Sequence, residues 1–87
     1  ERLKRISTAE LNDFFRPLIQ SNTPPAVRGK EIKINYVTQV KARPPVFAFY
    51  GNHPDLIGES YKRFLENQLR KEYGFEGVPI LLSFRKK

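Results

Sequence analysis

The sequence contains no cysteine and only one histidine. Without thiols the chain has neither a disulfide framework nor a thiolate metal site. His53 offers a single imidazole, and one imidazole cannot build a zinc cluster. A chain without cysteine is compatible with a reducing compartment, and we expect a cytoplasmic protein.

Long apolar runs are also missing. No stretch approaches the roughly 20 apolar residues that a membrane-spanning helix needs, and the amino end lacks the apolar segment of a signal peptide. We therefore expect a soluble domain without a membrane partner. The chain starts at Glu1 without an initiator methionine, and we expect it to be a piece of a longer protein.

Motifs of common enzymes do not occur. The sequence has no G-x-x-x-x-G-K-[ST] phosphate loop, no G-x-S-x-G elbow and no H-E-x-x-H zinc helix. His53 precedes a proline and is more simply a solvated turn residue than a catalytic group. Asp55, Glu59 and Glu66 fit helix-start or surface-pair charges. The sequence therefore predicts no catalytic, cofactor-binding or metal-binding residue.

What the sequence does contain is enough apolar material for one core. Hydrophobic residues make up 39% of 87 positions, with seven Phe and four Tyr. Such a short chain closes one compact core but not two, so we predict a single domain over residues 1–87. The aromatic content argues against disorder.

A helix is predicted from Ser7, because Ser7 and Glu10 have the spacing of a capping box. The apolar stripe that follows has helical period: Leu11, Phe14, Phe15, Leu18 and Ile19. Pro17 interrupts this stripe, and its missing amide predicts a kink or an end near Arg16.

Alternation begins at Lys30 and predicts a half-buried strand. Its apolar side is expected to comprise Ile32, Ile34, Tyr36, Thr38 and Val40. The apolar run 46–50 predicts a second strand and hence a hairpin. Tyr36, Phe47 and Phe49 fit core or half-core strand positions, and we expect core residues rather than exposed stacking platforms.

A second helix is predicted from Asp55 to Tyr73, stopped by Gly74, and a last strand over 78–84. The order α-β-β-α-β predicts an α+β sandwich with two helices on one face of a three-stranded sheet. The strand order stays open.

The segment Gly74-Phe75-Glu76-Gly77 matches the G-x-x-G pattern with which KH domains clamp a nucleic-acid backbone. In this sequence the segment joins a predicted helix to a predicted strand, and the carboxylate of Glu76 would repel the phosphate that the clamp should hold. We favour a helix stop followed by a buried Phe75.

The formal net charge is +7, which favours an anionic partner such as RNA, an acidic protein face or anionic lipid. A first group of cations surrounds the first strand and hairpin and is the candidate RNA or domain interface: Arg28, Lys30, Lys33, Lys41 and Arg43. An ordinary solubilising surface explains these cations equally well. Secondary candidates are Arg63, Arg70, Lys71 and Arg85.

Several segments resemble the carboxy-terminal KH-like domain of the Der/EngA family of ribosome-assembly GTPases. They are residues 24–30, 32–34 and 36, 38–40, 43–45, 51–52, 60–67, 74–80 and 84–86. They occur in the family's order and cover most of the chain, and Pro17 is the departure from the pattern.

This resemblance implies a KH-like α-β-β-α-β domain that is not itself catalytic. It also implies a parent protein with two GTPase domains, which would hold GTP and Mg, and a role in assembling the large ribosomal subunit. The implied partners are those GTPase domains and ribosomal RNA. Two functions stay open: a module that contacts RNA, and a purely protein-docking module that regulates the GTPase domains.

Overall fold

A computed structural model describes residues 5–87. Residues 1–4, including the predicted excised start at Glu1, lie outside the described residues. The described elements are two helices, α1 (Thr8–Ser21) and α2 (Glu59–Tyr73), and three strands, β1 (Ile34–Ala42), β2 (Pro45–Gly51) and β3 (Leu81–Lys86), with a short 3-10 turn at Pro54–Leu56. The strand order is β1-β2-β3, antiparallel between the first two and parallel between the last two. This confirms the α+β class and the predicted hairpin.

Helix α1 begins where the capping residues predict. The Ser7 hydroxyl accepts a hydrogen bond from the Glu10 amide at 3.1 Å, which satisfies one of the free donors at a helix start. The predicted end near Arg16 is wrong, because the helix continues through Pro17 to Ser21. Proline removes one amide donor, whereas Ile19 beyond it is buried in the core.

Strand β1 differs from the prediction both in where it starts and in which side chains face the core. It starts at Ile34 rather than Lys30, and its register shifts between Ile34 and Tyr36. One extra residue reverses the alternation of sides, so that Val37 and Gln39 are buried while Val40 is 42% exposed. The prediction that Tyr36, Thr38 and Val40 share the buried side of the strand with Ile32 is therefore wrong, although Tyr36 is half-buried.

A side chain of α1 covers the free edge of β1. The Asn12 amide nitrogen donates to the Val37 carbonyl at 2.9 Å, and the Asn12 carbonyl accepts from the Val37 amide at 3.0 Å. Asn12 is 7% exposed, so its amide takes the place that a backbone partner would have on an additional strand.

Helix α2 starts later than predicted. Pro54–Leu56 forms the 3-10 turn, Ile57 is extended and buried, and the helix begins at Glu59 rather than Asp55. Gly74 ends the helix in the left-handed conformation, φ 72°, and Phe75 is buried. The G-x-x-G match is thus a helix stop, as predicted.

The two helices share one core with the sheet. Their buried side chains belong to the same cluster as Val37, Phe47 and Phe49. The Phe49 ring contacts Phe15 edge-on at 5.2 Å between centroids and stacks on Phe84 of β3 at 5.4 Å. Strand β3 begins at Leu81 rather than residue 78.

Tyr61 connects α2 to the end of α1. Its hydroxyl donates to the Asn22 carbonyl at 2.6 Å, and burial raises the pKa of Tyr61 from 10.0 to about 12. Burial also raises the pKa of Tyr73, helped by the negative charges of Glu10 and Glu72. Over residues 5–87, neither helix has the length and apolar character needed to cross a membrane.

Candidate nucleic-acid interface

Three of the predicted cations form a loop group between α1 and β1: Arg28, Lys30 and Lys33. Val27 and Lys30 exchange backbone hydrogen bonds at 3.1 and 2.9 Å. The two residues between them have positive φ, 52° at Arg28 and 75° at Gly29, as a tight turn of the hairpin type requires. All three cationic side chains are exposed, with the exposed carboxylate of Glu31 among them.

The end of β2 holds this loop in place. The side-chain nitrogen of Asn52 donates to the backbone carbonyl of Glu31 at 2.9 Å, and its side-chain oxygen accepts from the backbone amide of Lys33 at 2.8 Å. A Cβ atom at Gly51 would overlap the Lys33 carbonyl oxygen, so this approach requires glycine. The Gly51 carbonyl also accepts from the Lys87 amide at 3.0 Å. The loop group is therefore attached to the same end of the sheet as the end of β3.

The remaining two cations of the predicted interface form a hairpin group, Lys41 and Arg43, where β1 turns into β2. Lys33 and Lys41 are separated by most of strand β1, which is about 25 Å at roughly 3.3 Å per residue. Lys41 and Arg43 are exposed. Within residues 5–87, no cation of either group is in an ion pair. The structure thus places the five residues at two ends of one strand.

Arg70, a secondary candidate, is occupied by internal contacts. Its guanidinium donates to the carbonyls of Phe75 at 2.6 Å and Val78 at 2.9 Å, and it pairs with Glu66 at 3.0 Å. These contacts hold the segment after α2 and leave Arg70 little freedom to reach a partner. Arg63 and Lys71 on the same helix are exposed.

The outer face of the sheet carries a cation–aromatic row that the sequence reasoning missed. Tyr36 pairs with Tyr50, with ring centroids 5.8 Å apart, and Tyr50 pairs with Arg85 across β3. The Lys87 ammonium lies 5.5 Å from the Tyr36 centroid, and the Arg85 guanidinium lies 5.9 Å from that of Tyr50. Both tyrosines are half-buried. The sequence signal that could have indicated an outer position is the polar hydroxyl that each tyrosine carries at a position interpreted as apolar.

Acidic residues are absent from all three strands. Strands β1, β2 and β3 contain neither Asp nor Glu, whereas they contain Lys41, Arg85 and Lys86. The sheet is therefore a surface on which anionic groups meet no repelling carboxylate from the strands themselves.

His53 is half-buried immediately before the 3-10 turn, and its carbonyl accepts from the Leu56 amide at 3.0 Å. In the part of the chain from residue 5 onward, no cluster of His, Cys, Asp or Glu is arranged to hold a metal ion.

The comparisons with known proteins agree with this architecture. Residues 5–85 match the family described as KH-domain-like of EngA bacterial GTPase enzymes, C-terminal. Proteins named GTPase Der are 52% identical over 86 residues in Cytophaga hutchinsonii, 51% over 87 in Thermomicrobium roseum and 50% over 86 in Chlorobium phaeobacteroides. The alignments cover 99%, 100% and 99% of this chain, but 20%, 19% and 20% of those proteins.

The chain therefore spans about a fifth of the length of these relatives. The family match extends over both helices and all three strands, from before α1 to Arg85 in β3. The chain belongs to the family of KH-domain-like, C-terminal domains of EngA bacterial GTPases.

Proposed function

We propose that this chain is the non-catalytic KH-like module of a Der-type GTPase that acts in assembly of the large ribosomal subunit in the bacterial cytoplasm. In this proposal its exposed cations contact the phosphates of ribosomal RNA. GTP and Mg belong to the GTPase domains of the parent protein. The proposal is supported by the family and by the charge of the chain, and it concerns binding rather than chemistry.

The observation that carries the proposal is the loop group. Arg28, Lys30 and Lys33 are exposed, and the backbone that bears them is fixed by the turn at Arg28-Gly29 and by the amide of Asn52. Cations on a fixed backbone position phosphates without reading base identity. Sequence specificity should therefore be weak and the salt dependence steep.

The test is binding of the purified chain to large ribosomal subunits and to ribosomal RNA over a series of salt concentrations. The double variant Lys30→Glu with Lys33→Glu should bind more weakly. It should also lower the slope of log affinity against log salt by about 0.7 to 0.9 for each phosphate contact removed. The same measurement is repeated with the chain joined to its GTPase domains.

The matched control is a double variant that makes the same change of charge on helix α2. Arg63→Glu with Lys71→Glu alters two exposed cations on α2 and should reduce the affinity less than the loop variant does. Equal losses would mean that only net charge matters. Absence of salt-sensitive binding by the wild type in both forms would refute the proposal.

A second function, docking on the GTPase domains without RNA contact, is favoured by a different observation. Apolar side chains are exposed at the hairpin end of the sheet, with Val40 at 42% and Leu81 at 55%. Leu81 pairs with Val46, which also pairs with Lys41 of the hairpin group. An apolar centre beside Lys41 and Arg43 has the composition of a protein interface.

The two functions are separated by variants at the two ends of the sheet. Val40→Ser with Leu81→Ser should weaken association with the GTPase domains, measured as binding in trans by calorimetry, and leave RNA affinity unchanged. Lys30→Glu with Lys33→Glu should have the opposite effects. If the variant with Val40→Ser and Leu81→Ser releases the GTPase domains while RNA binding is absent throughout, the docking function replaces the first proposal.

A further inference from the structure

A groove lies between the second half of α1 and the beginning of β1. It has a volume of about 390 Å³, and Tyr36 forms one wall. Arg16 and Lys87 contribute cations, and Gln20 and Asn35 contribute amides. All four of these side chains are exposed. The lining contains no carboxylate.

The aromatic wall is half-buried rather than part of the core. Tyr36 contacts Tyr50 on the outer face of the sheet, and the ammonium of Lys87 lies against its ring at 5.5 Å. Lys87 is exposed to solvent, and a hydrated cation over an aromatic ring contributes about 0.5 to 1 kcal/mol. The lysine is therefore readily displaced by a group that stacks on the ring and offers the ammonium an anion instead.

We propose that this groove binds an unpaired nucleotide of single-stranded RNA, with its base stacked on Tyr36. The cations of Arg16 and Lys87 contact the flanking phosphates, and the amides of Asn35 and Gln20 bond to the base edge. This inference rests on the proposed RNA contact. It places a base-stacking site on the chain in addition to the phosphate contacts of the loop group.

The chemistry of the lining favours RNA over an acidic protein segment. An acidic peptide would use the cations but would leave the ring and both amides without matched partners. A nucleotide uses all three kinds of group, since each base has a flat face and an edge of donors and acceptors. Bases in a duplex are already stacked, so the groove should prefer single strands.

The experiment measures fluorescence anisotropy of labelled oligoadenylate and oligouridylate RNAs of about ten nucleotides, a length within the range of small single-strand sites. The protein is the full 87-residue chain. Tyr36→Ala should weaken binding by about 5-fold to 150-fold, the range found for loss of one stacked base. Tyr36→Phe keeps the ring and should stay within about twofold of the wild type. A duplex of the same length should bind more weakly than either single strand.

Two further variants do not disturb the core. Arg16→Glu is compared with Arg63→Glu, an identical change at an exposed position of the other helix, and should cause the larger loss. Asn35→Ala should change the ratio of adenylate to uridylate affinity. Circular dichroism melting of every variant checks that the fold is retained. If Tyr36→Ala does not fold, the Arg16 and Asn35 variants decide the question.

The outcomes separate this inference from the proposed function. Wild-type binding to RNA that is unaffected by Tyr36→Ala, Arg16→Glu and Asn35→Ala, but is lost in the loop variant, overturns the groove and keeps the RNA contact. Absence of salt-sensitive RNA binding by the wild type overturns both. If the groove variants weaken only binding to the GTPase domains, the groove is a protein interface and the inference is wrong.

Discussion

Replacing Asn12 by leucine tests whether one helix side chain completes the hydrogen bonding of the sheet. The substitution keeps the approximate size of the side chain and removes its amide. It leaves the Val37 amide and carbonyl, which now bond to Asn12 at 3.0 and 2.9 Å, without that partner in a buried position.

The expected loss follows from the cost of two buried polar groups. Each unsatisfied group costs about 1 to 3 kcal/mol, and burial of the larger apolar side chain recovers about 1.5 kcal/mol or more. We expect the free energy of unfolding to fall by about 0.5 to 4.5 kcal/mol. A domain of this size has a total of about 4 to 13 kcal/mol. The melting temperature should fall by about 2 to 35 °C.

The assay is urea unfolding followed by circular dichroism, with the slope m compared between variants to check that only stability has changed. Hydrogen exchange of the Val37 amide should become faster in the variant. Asn67→Leu, the same change at an exposed position of α2, is the control and should stay within about 0.5 kcal/mol of the wild type. An Asn12→Leu protein as stable as this control would refute the reasoning.

Three further predictions concern other contacts. Gly51→Ala should destabilise by about 1 to 3 kcal/mol in thermal melts, because the added carbon overlaps the Lys33 carbonyl oxygen. The pKa of Tyr61 is about 12 in the folded protein and 10.0 ordinarily. The stabilisation by the neutral hydroxyl is therefore complete below pH 10 and is lost as the pH rises towards 12. Between pH 10 and 12 the stability of the wild type should fall more steeply than that of Tyr61→Phe. Arg70→Lys, which loses the hydrogen bonds from Nη1 to two carbonyls, should speed hydrogen exchange in the segment 74–79 without changing RNA affinity.

The sequence predicted the elements whose signals are local. Ser7 and Gly74 mark the ends of their helices through capping and left-handed geometry, and both act as predicted. The apolar run of β2 identified the central strand. The prediction that α1 ends near Arg16, ahead of Pro17, was wrong, because burial of Ile19 in the core outweighs the loss of one helical hydrogen bond.

The outer face of the sheet was not predictable in the same way. Its composition depends on the register shift between Ile34 and Tyr36, which places Tyr36 outside. A bulge of this kind has no local sequence signature as strong as a cap, and one residue of shift exchanges the two faces. The division of the predicted cations between the two ends of β1 likewise depends on where the strand starts and stops, and strand boundaries follow from pairing partners that are distant in sequence.

The junction at Gly51 and Asn52 has a consequence for the thermodynamics of association. It joins the backbone of Lys33 to the end of β2 and, through the Lys87 amide, to the end of β3. A partner that meets Lys33 and Lys87 together encounters two chain segments whose separation is already set. Besides the loss of translational and rotational freedom that accompanies every association, the entropic penalty of binding then comprises ordering of the cationic side chains, about 0.5 to 1.5 kcal/mol each, and does not include ordering of the loop.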